Sequence, residues 1–244
     1  MKEVKIKSQR IALVTGSSRS IGREIALRLA DVVSGVAVHY YRQREAAENV
    51  VKEIKQKGKL CAAFRADLTK EKQATELIRK VEEKFGRIDI LVNNFGPILI
   101  KTWDKVVASE WEHIFRSNLG SALYCLKAVL PGMRERKWGR IINLGYSRAE
   151  QLVAFPTITP YAISKTGLLI LTRTVAASEI SSGITVNMVS PGLMEGGILP
   201  SSKNIKAGSL GKLKNVAEAV LFLASGKASS ITGTNLIVAG SWKM

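Results

Sequence analysis

The chain has only two cysteines, Cys61 and Cys125, in 244 residues. That is too few for a disulfide framework. It has no apolar run approaching the roughly 20 residues that span a bilayer. Its opening residues, Met1 to Lys7, are charged and lack the apolar stretch of a secretory signal. A soluble cytoplasmic protein is expected, with no membrane partner. No linker, internal repeat or low-complexity segment interrupts the chain, so residues 1–244 are expected to form a single domain. Acidic residues are scarce: 20 Asp and Glu stand against 37 Lys and Arg, for a net charge of +17. A surplus of that size can attract nucleic acid or an acidic protein. The basic residues are scattered, however. The densest cluster, Arg134, Arg136, Lys137 and Arg140, carries no zinc-finger spacing and no RNA-binding aromatic signature. Nucleic acid is therefore not the expected partner. His39 and His113 lack Cys, His or Asp neighbours at ligand spacing. No metal site is expected, and both histidines are assigned packing or surface roles.

What is present is an alternation of apolar runs and helical patterns, as a parallel sheet with crossover helices requires. Strands are predicted at residues 11–14, 35–40, 60–65, 88–92, 140–144, 184–189 and 235–238. Helices are predicted at 21–29, 45–55, 75–85, 109–133, 160–178 and 216–224. Hydrophobic residues make up 46% of the chain, enough for a sizeable core. This is the pattern of one doubly wound α/β domain. Such sheets bind ligands beyond the carboxyl ends of their strands, at the topological switch point. The polar and glycine-rich motifs all fall at such ends.

After the first strand comes Thr15-Gly16-Ser17-Ser18-Arg19-Ser20-Ile21-Gly22. Glycines at a strand-to-helix turn let the backbone approach a pyrophosphate, and the helix N-terminus offers unpaired N–H groups and a favourable dipole. The spacing is not the Gly-x-Gly-x-x-Gly of two-domain dehydrogenases. The second strand ends in Tyr41-Arg42, with no acid until Glu45. An acid there would bind a ribose 2′-hydroxyl and repel a 2′-phosphate. Arg19 and Arg42 instead offer two planar, permanently charged forks suited to a phosphate. NADP(H) is the expected cofactor. Tyr161 and Lys165 stand four residues apart on one face of a predicted helix. An ammonium beside a phenol is expected to lower the phenol's pKa and make it a proton donor near neutral pH.

These motifs, with Asn93-Asn94-Phe95-Gly96, Asn118 and Pro191-Gly192, occur in the order and spacing of the short-chain dehydrogenase/reductase family, which the chain resembles over nearly its whole length. Within it, the segment from Asn215 to Gly240 most resembles the 3-oxoacyl-(acyl-carrier-protein) reductases. The resemblance implies a Rossmann-like, seven-stranded parallel sheet and a catalytic set of Asn118, Ser147, Tyr161 and Lys165. Tyr161 would pass its proton to a carbonyl oxygen. Lys165 would hold the nicotinamide ribose and depress the tyrosine pKa. Asn118 would anchor a water leading protons to Lys165. Cofactor contacts would come from Gly16, Ser18, Arg19, Ser20, Ile21, Gly22, Tyr41, Arg42, Asp67, Leu68, Asn93, Phe95, Gly96, Tyr161, Lys165, Pro191 and Gly192, with Asp67 at the adenine.

Three positions depart from the family pattern. The serine commonly stands just after the fifth strand, thirteen residues before the tyrosine; aligned from the strand, Tyr146 takes its place, while Ser147 lies fourteen before Tyr161. Ser147 fills the role if the loop shifts by one residue, and otherwise Tyr146 supplies the hydroxyl or the donor is missing. Ser20 replaces a usual glycine, and Phe95 a usual alanine. The resemblance further implies a homotetramer, with apolar helical faces at 122–130 and 168–175, and a substrate lid in 193–211. The expected substrate is a small-molecule or acyl-carrier-bound carbonyl, with an acidic carrier protein suiting the basic surface near Arg134 to Arg140. The strand end His39-Tyr40-Tyr41-Arg42 keeps a pteridine or other small-carbonyl reductase open; loss of the serine would favour a non-catalytic NADP-binding relative, against which Asn118, Tyr161 and Lys165 stand.

Overall fold

The structure, a computed structural model, describes residues 9–195 and 210–240. Seven parallel strands form one sheet: β1 (Ile11–Val14), β2 (Gly35–Tyr40), β3 (Leu60–Arg65), β4 (Ile90–Asn93), β5 (Gly139–Leu144), β6 (Ile184–Pro191) and β7 (Asn235–Val238). Their order is β3-β2-β1-β4-β5-β6-β7. The chain winds outward in one direction from β1 and in the other from β4. The switch point therefore lies between β1 and β4, and their following loops face each other across it. Every residue of β1, β2, β4, β5 and β6 is buried, as strands covered on both faces must be.

The period of two along each strand divides the core. Ala12, Val14, Val36, Val38, Ile90, Val92, Ile142 and Leu144 point to one layer, built from α1 (Ser20–Ala30), α2 (Arg44–Gln56) and α7 (Leu213–Ala224). Leu13, Ala37, Leu91, Ile141 and Val186 point to the other, where α3 (Glu71–Phe85), α5 (Ser121–Glu135) and α6 (Thr159–Glu179) pack. Cys61 and Cys125 are both buried and unpaired in this interior, and burial pushes each thiol up to about 12.

The predicted elements are present, several with shifted ends: α3 begins at Glu71 rather than 75, α7 at Leu213 rather than 216, and β6 runs to Pro191 rather than 189. The fourth strand begins at Ile90 rather than at residue 88. The residue before it, Asp89, turns its buried carboxylate onto the Ile11 N–H and the surrounding guanidinium groups. The single helix predicted over 109–133 is two helices, α4 (Ala108–Phe115) and α5, joined by a π-helical turn at Arg116–Gly120. The apolar faces expected to meet other subunits are partly used within the protomer. Ala122, Leu126, Val129, Leu168 and Leu169 are buried, while Leu123, Ile163 and Ile170 remain exposed. Met1 to Lys7 and residues 196–209 of the expected lid lie outside the described residues. The lid's two ends are paired: Gly211 N–H donates to the Leu193 carbonyl at 2.8 Å, and Glu195 N–H to the Gly211 carbonyl at 3.0 Å.

Candidate functional site

The glycine turn is held by side chains that the sequence reading quoted but gave no role. Asn94 Nδ2 donates to the Thr15 carbonyl at 2.9 Å and the Gly16 carbonyl at 3.0 Å. Thr15 Oγ1 accepts the N–H groups of Asn94 and Phe95 at 2.9 and 3.0 Å. The loops after β1 and β4 are thereby locked together at the switch point. Gly16 has φ +60°. A Cβ on Gly22 would strike the Gly16 carbonyl and lie 3.0 Å from Ser17 Cα, so that position has no room for a side chain. Ser20 occupies the left-handed region at φ +51°. That accounts for the family's usual glycine, which adopts this conformation freely, whereas the serine here does so under strain. Arg19 precedes α1 in an extended conformation and makes no side-chain cap. The first N–H groups of α1 thus have no intrahelical partner and open beside the glycine cradle, which suits a pyrophosphate.

At the adenine end, Arg19, Tyr41 and Arg42 are exposed. The Arg42 guanidinium lies 5.4 Å from the centre of the Tyr41 ring. Ser18 Oγ donates to Gln43 Oε1 at 3.3 Å, linking the glycine turn to this loop. The sequence reading missed Arg65, the last residue of β3, whose Nε donates to the Tyr41 carbonyl at 3.2 Å and ties a further cation to this strand end. Its signal was register: Tyr40 pairs with Arg65. Asp67 Oδ1 accepts the Thr69 N–H and hydroxyl at 3.1 and 2.6 Å, which orients its carboxylate. Leu68 beside it is buried.

Asn93 belongs to the frame beneath. Its Nδ2 donates to Asn143 Oδ1 at 2.9 Å, and Asn143 Nδ2 donates to Thr172 Oγ1 at 2.9 Å. This buried amide chain fixes α6 against β4 and β5. Tyr161 and Lys165 project from α6. Lys165 Nζ donates to the Leu144 carbonyl at 2.7 Å, at the carboxyl end of β5. The π turn delivers Asn118 to the same place, since it frees the Ile114 carbonyl to accept from Asn118 Nδ2 at 3.1 Å, beside a second bond to the Pro97 carbonyl at 2.9 Å. Asn118 Oδ1 is buried with no partner among the described residues. Gly96 marks where these groups converge. A Cβ there would strike Asn118 Oδ1 and come within 3.2 Å of Lys165 Nζ. Such π turns occur often at functional sites.

One expectation is corrected. The phenol of Tyr161 is pushed above its usual range, first by burial and then by Tyr146. Lys165 does not offset this, and its Nζ is bonded to the Leu144 carbonyl rather than to the phenol. Burial instead pulls Lys165 down to about 7.

The β5–β6 ladder continues regularly past Leu144. Gly145 N–H donates to the Val189 carbonyl and Ser147 N–H to the Pro191 carbonyl, both at 2.9 Å. Gly192 N–H donates onward to the Val238 carbonyl at 3.0 Å. Ser147 is buried at this strand end. Tyr146 packs edge to face on both Phe155 and Tyr161, and its buried hydroxyl has no partner among the described residues.

Over residues 16–241 the chain matches the family described as enoyl-(acyl carrier protein) reductase. It is 37% identical over 242 residues to the 3-oxoacyl-(acyl-carrier-protein) reductase FabG of Staphylococcus epidermidis, across 96% of this chain and 98% of that protein. The chain belongs to the short-chain dehydrogenase/reductase family. The FabG of Haemophilus influenzae is 36% identical, across 95% of this chain and 97% of that protein. Among solved structures, a dehydrogenase/reductase from Sinorhizobium meliloti 1021 superposes with a TM-score of 0.90 at 30% identity, covering 99% of this chain and 97% of that one. A blue fluorescent protein from a metagenomic library, in complex with NADPH, does so with a TM-score of 0.88 at 30% identity, covering 97% and 99%. This short-chain dehydrogenase/reductase is thus an oxidoreductase with the family's seven-stranded sheet.

The basic cluster is only partly a surface: Arg134 and Lys137 are exposed, while Arg140 is buried. Arg134 pairs with Glu179 at 2.5 Å. Arg136 donates to the Ile88 carbonyl at 2.7 Å. Arg140 is 4% exposed, bonded to the Gly139 carbonyl at 2.8 Å and set 4.6 Å from the Trp138 ring centre. Arg10 covers the same ring at 3.7 Å and, with Arg87, binds the buried Asp89. These residues tie the amino ends of β1, β4 and β5 together. A carrier docked on them would approach the sheet from the end away from Tyr161.

Proposed function

We propose that this short-chain dehydrogenase/reductase uses NADPH to reduce a carbonyl to an alcohol, on substrates of the 3-oxoacyl thioester type. The observation that carries this is the convergence of Asn118 Oδ1 and Lys165 Nζ on Gly96, with Tyr161 on the same helical face as Lys165. The identity to curated 3-oxoacyl-(acyl-carrier-protein) reductases and the likeness to an NADPH complex support substrate class and cofactor. The residues present fit NADPH. Gly16, Gly22 and the open N-terminus of α1 suit a pyrophosphate, and the exposed Arg19, Arg42 and Arg65 at the neighbouring strand ends offer the cations a 2′-phosphate needs. When bound, NADPH supplies the hydride.

The chain's own residues do the rest. Tyr161, held protonated by burial, is in the form that donates a proton to a carbonyl oxygen. Lys165, with a pKa near 7, can pass a proton onward at neutral pH. The unpartnered Asn118 Oδ1 accepts from a water beside it. The second hydroxyl at the oxyanion has two candidates. Spacing favours Ser147. Packing favours Tyr146, whose hydroxyl is close enough to Tyr161 to raise its pKa. The pteridine reading keeps one support, the strand end His39-Tyr40-Tyr41-Arg42. Steady-state NADPH oxidation against a 3-oxoacyl thioester, a dihydropterin and simple diketones decides between them. Turnover of the thioester alone is the expected result, and turnover of the dihydropterin alone would overturn it.

A further inference from the structure

His39, assigned a packing or surface role from its lack of ligand-spaced neighbours, joins two parts of the candidate site. It is 1% exposed at the carboxyl end of β2. Its ring joins two loops that the chain itself does not connect. Nδ1 accepts the Gly16 N–H at 2.9 Å. Nε2 lies 3.2 Å from the Ala66 carbonyl. The two bonds fix one neutral tautomer, with the proton on Nε2. The backbone continues the same link: His39 N–H donates to Ser17 Oγ at 3.1 Å, and Ser17 N–H donates to the His39 carbonyl at 3.0 Å. The Phe95 ring meets the imidazole edge to face at 6.5 Å.

The two partners belong to opposite parts of one ligand site. Gly16 opens the turn that suits the pyrophosphate. Ala66 immediately precedes Asp67 and Leu68 at the adenine end. A buried imidazole must find partners for both nitrogens, so what distinguishes this one is the choice of partners. Here each nitrogen holds a different loop, and the loops are 23 and 27 residues away in sequence.

We propose that His39 is a positioning residue that fixes the spacing between the glycine turn and the 66–68 loop, and through it the affinity for the whole cofactor. This rests on the NADPH reading above. Asparagine places an acceptor where Nδ1 stands and keeps the Gly16 bond. Glutamine reaches toward the Nε2 position and loses that bond. Leucine fills the volume and loses both.

The test is the NADPH dissociation constant, by fluorescence, together with kcat at saturating NADPH, for the full-length wild type and His39→Asn, His39→Gln and His39→Leu. Loss of the Gly16 anchor is expected to raise the dissociation constant about tenfold in the Gln and Leu variants, the scale of one buried hydrogen bond. kcat should stay within about twofold, and His39→Asn should restore most of the affinity. A merely structural role would move stability and kcat without this split or this rescue. Unchanged affinity in both the Gln and Leu variants, or a kcat that falls in step with affinity, would overturn the proposal. If the Leu variant does not fold, the Asn and Gln pair decides it. A wild type that prefers NADH would overturn the cofactor reading alone, and the same comparison made with NADH would then decide the role of His39.

Discussion

The ring of Tyr146 meets the ring of Tyr161 edge to face, 5.6 Å between centroids and 65° between planes. The residue standing where the family sets its serine is therefore a wall of the site as well as a hydroxyl. Tyr161→Phe should lower kcat by roughly 10²–10⁴-fold while leaving NADPH binding nearly intact. If Tyr146 donates to the oxyanion, Tyr146→Phe should lose roughly 10²–10³-fold and Ser147→Ala should be nearly silent. The reverse pattern assigns the role to Ser147. Turnover numbers with one shared substrate make the comparison, and full activity in Tyr161→Phe would remove the mechanism altogether.

Cofactor selection should follow charge. Arg19 and Arg42 are exposed, so each contributes less than a buried charged bond and responds to salt. Even so, NADPH should bind on the order of 10-fold or more tighter than NADH. Arg42→Asp should move the preference toward NADH, and Arg65→Ala should weaken NADPH without affecting NADH. Dissociation constants for both cofactors at two salt concentrations are the measurement. Equal values in the wild type would contradict the 2′-phosphate assignment.

Ser20, at φ +51°, gives a backbone prediction. A β-branched side chain is a true outlier in that region. Ser20→Val should cost roughly 1–2 kcal/mol, or about 2–4 °C in Tm per kcal/mol for a chain of this size. Ser20→Gly should be neutral or stabilising. Thermal denaturation of the two variants checks the order.

Acid stability should carry the signature of His39. Burial lowers its pKa from 6.5 to about 4, and the groups named around it, Gly16, Ser17, Ala66 and Phe95, carry no charge. Between those values the unfolded imidazole holds a proton and the folded one does not. Unfolding then takes up a proton, so stability falls as pH drops from about 6.5 through 4, by at most ~1.4 kcal/mol per pH unit. Lys165 acts higher: lowered from 10.5 to about 7, it makes stability rise with pH across that window. Urea midpoints against pH should show a flatter acid limb in His39→Gln than in the wild type.

Assembly is tested by the apolar residues left uncovered. Ile163 and Ile170 on α6 are 46% and 62% exposed. A homotetramer is expected in light scattering, and Ile170→Glu should shift it toward smaller species with the protomer fold intact by circular dichroism. A wild-type monomer at micromolar concentration would refute the expectation.

The sheet was legible because a buried parallel strand announces itself in a short apolar run, as residues 11–14 and 35–40 do, and each run ends at a glycine or polar signal. The break between α4 and α5 was not, because the apolar period continues through it. Within the π turn Asn118 bonds two carbonyls, one of them that of Pro97 in a distant loop, and that tertiary contact leaves no mark on the local pattern. The direction of the Tyr161 shift was missed for a related reason. Spacing places Lys165 on the same helical face, but only the folded chain shows its side chain buried and turned to Leu144, with Tyr161 half-buried beside Tyr146. The partners of His39 lie in other loops, so no local pattern could reveal them.

The two buried thiols have a practical use. With pKa values near 12, Cys61 and Cys125 are almost wholly unreactive at neutral pH. A single Glu135→Cys substitution, at the exposed end of α5 where the chain turns toward the start of β5, would therefore supply the one readily alkylated sulfur. Tethered to a solid support through that position, the enzyme would rest on the end of its sheet held by Asp89 and present its nucleotide cleft to the bulk solution.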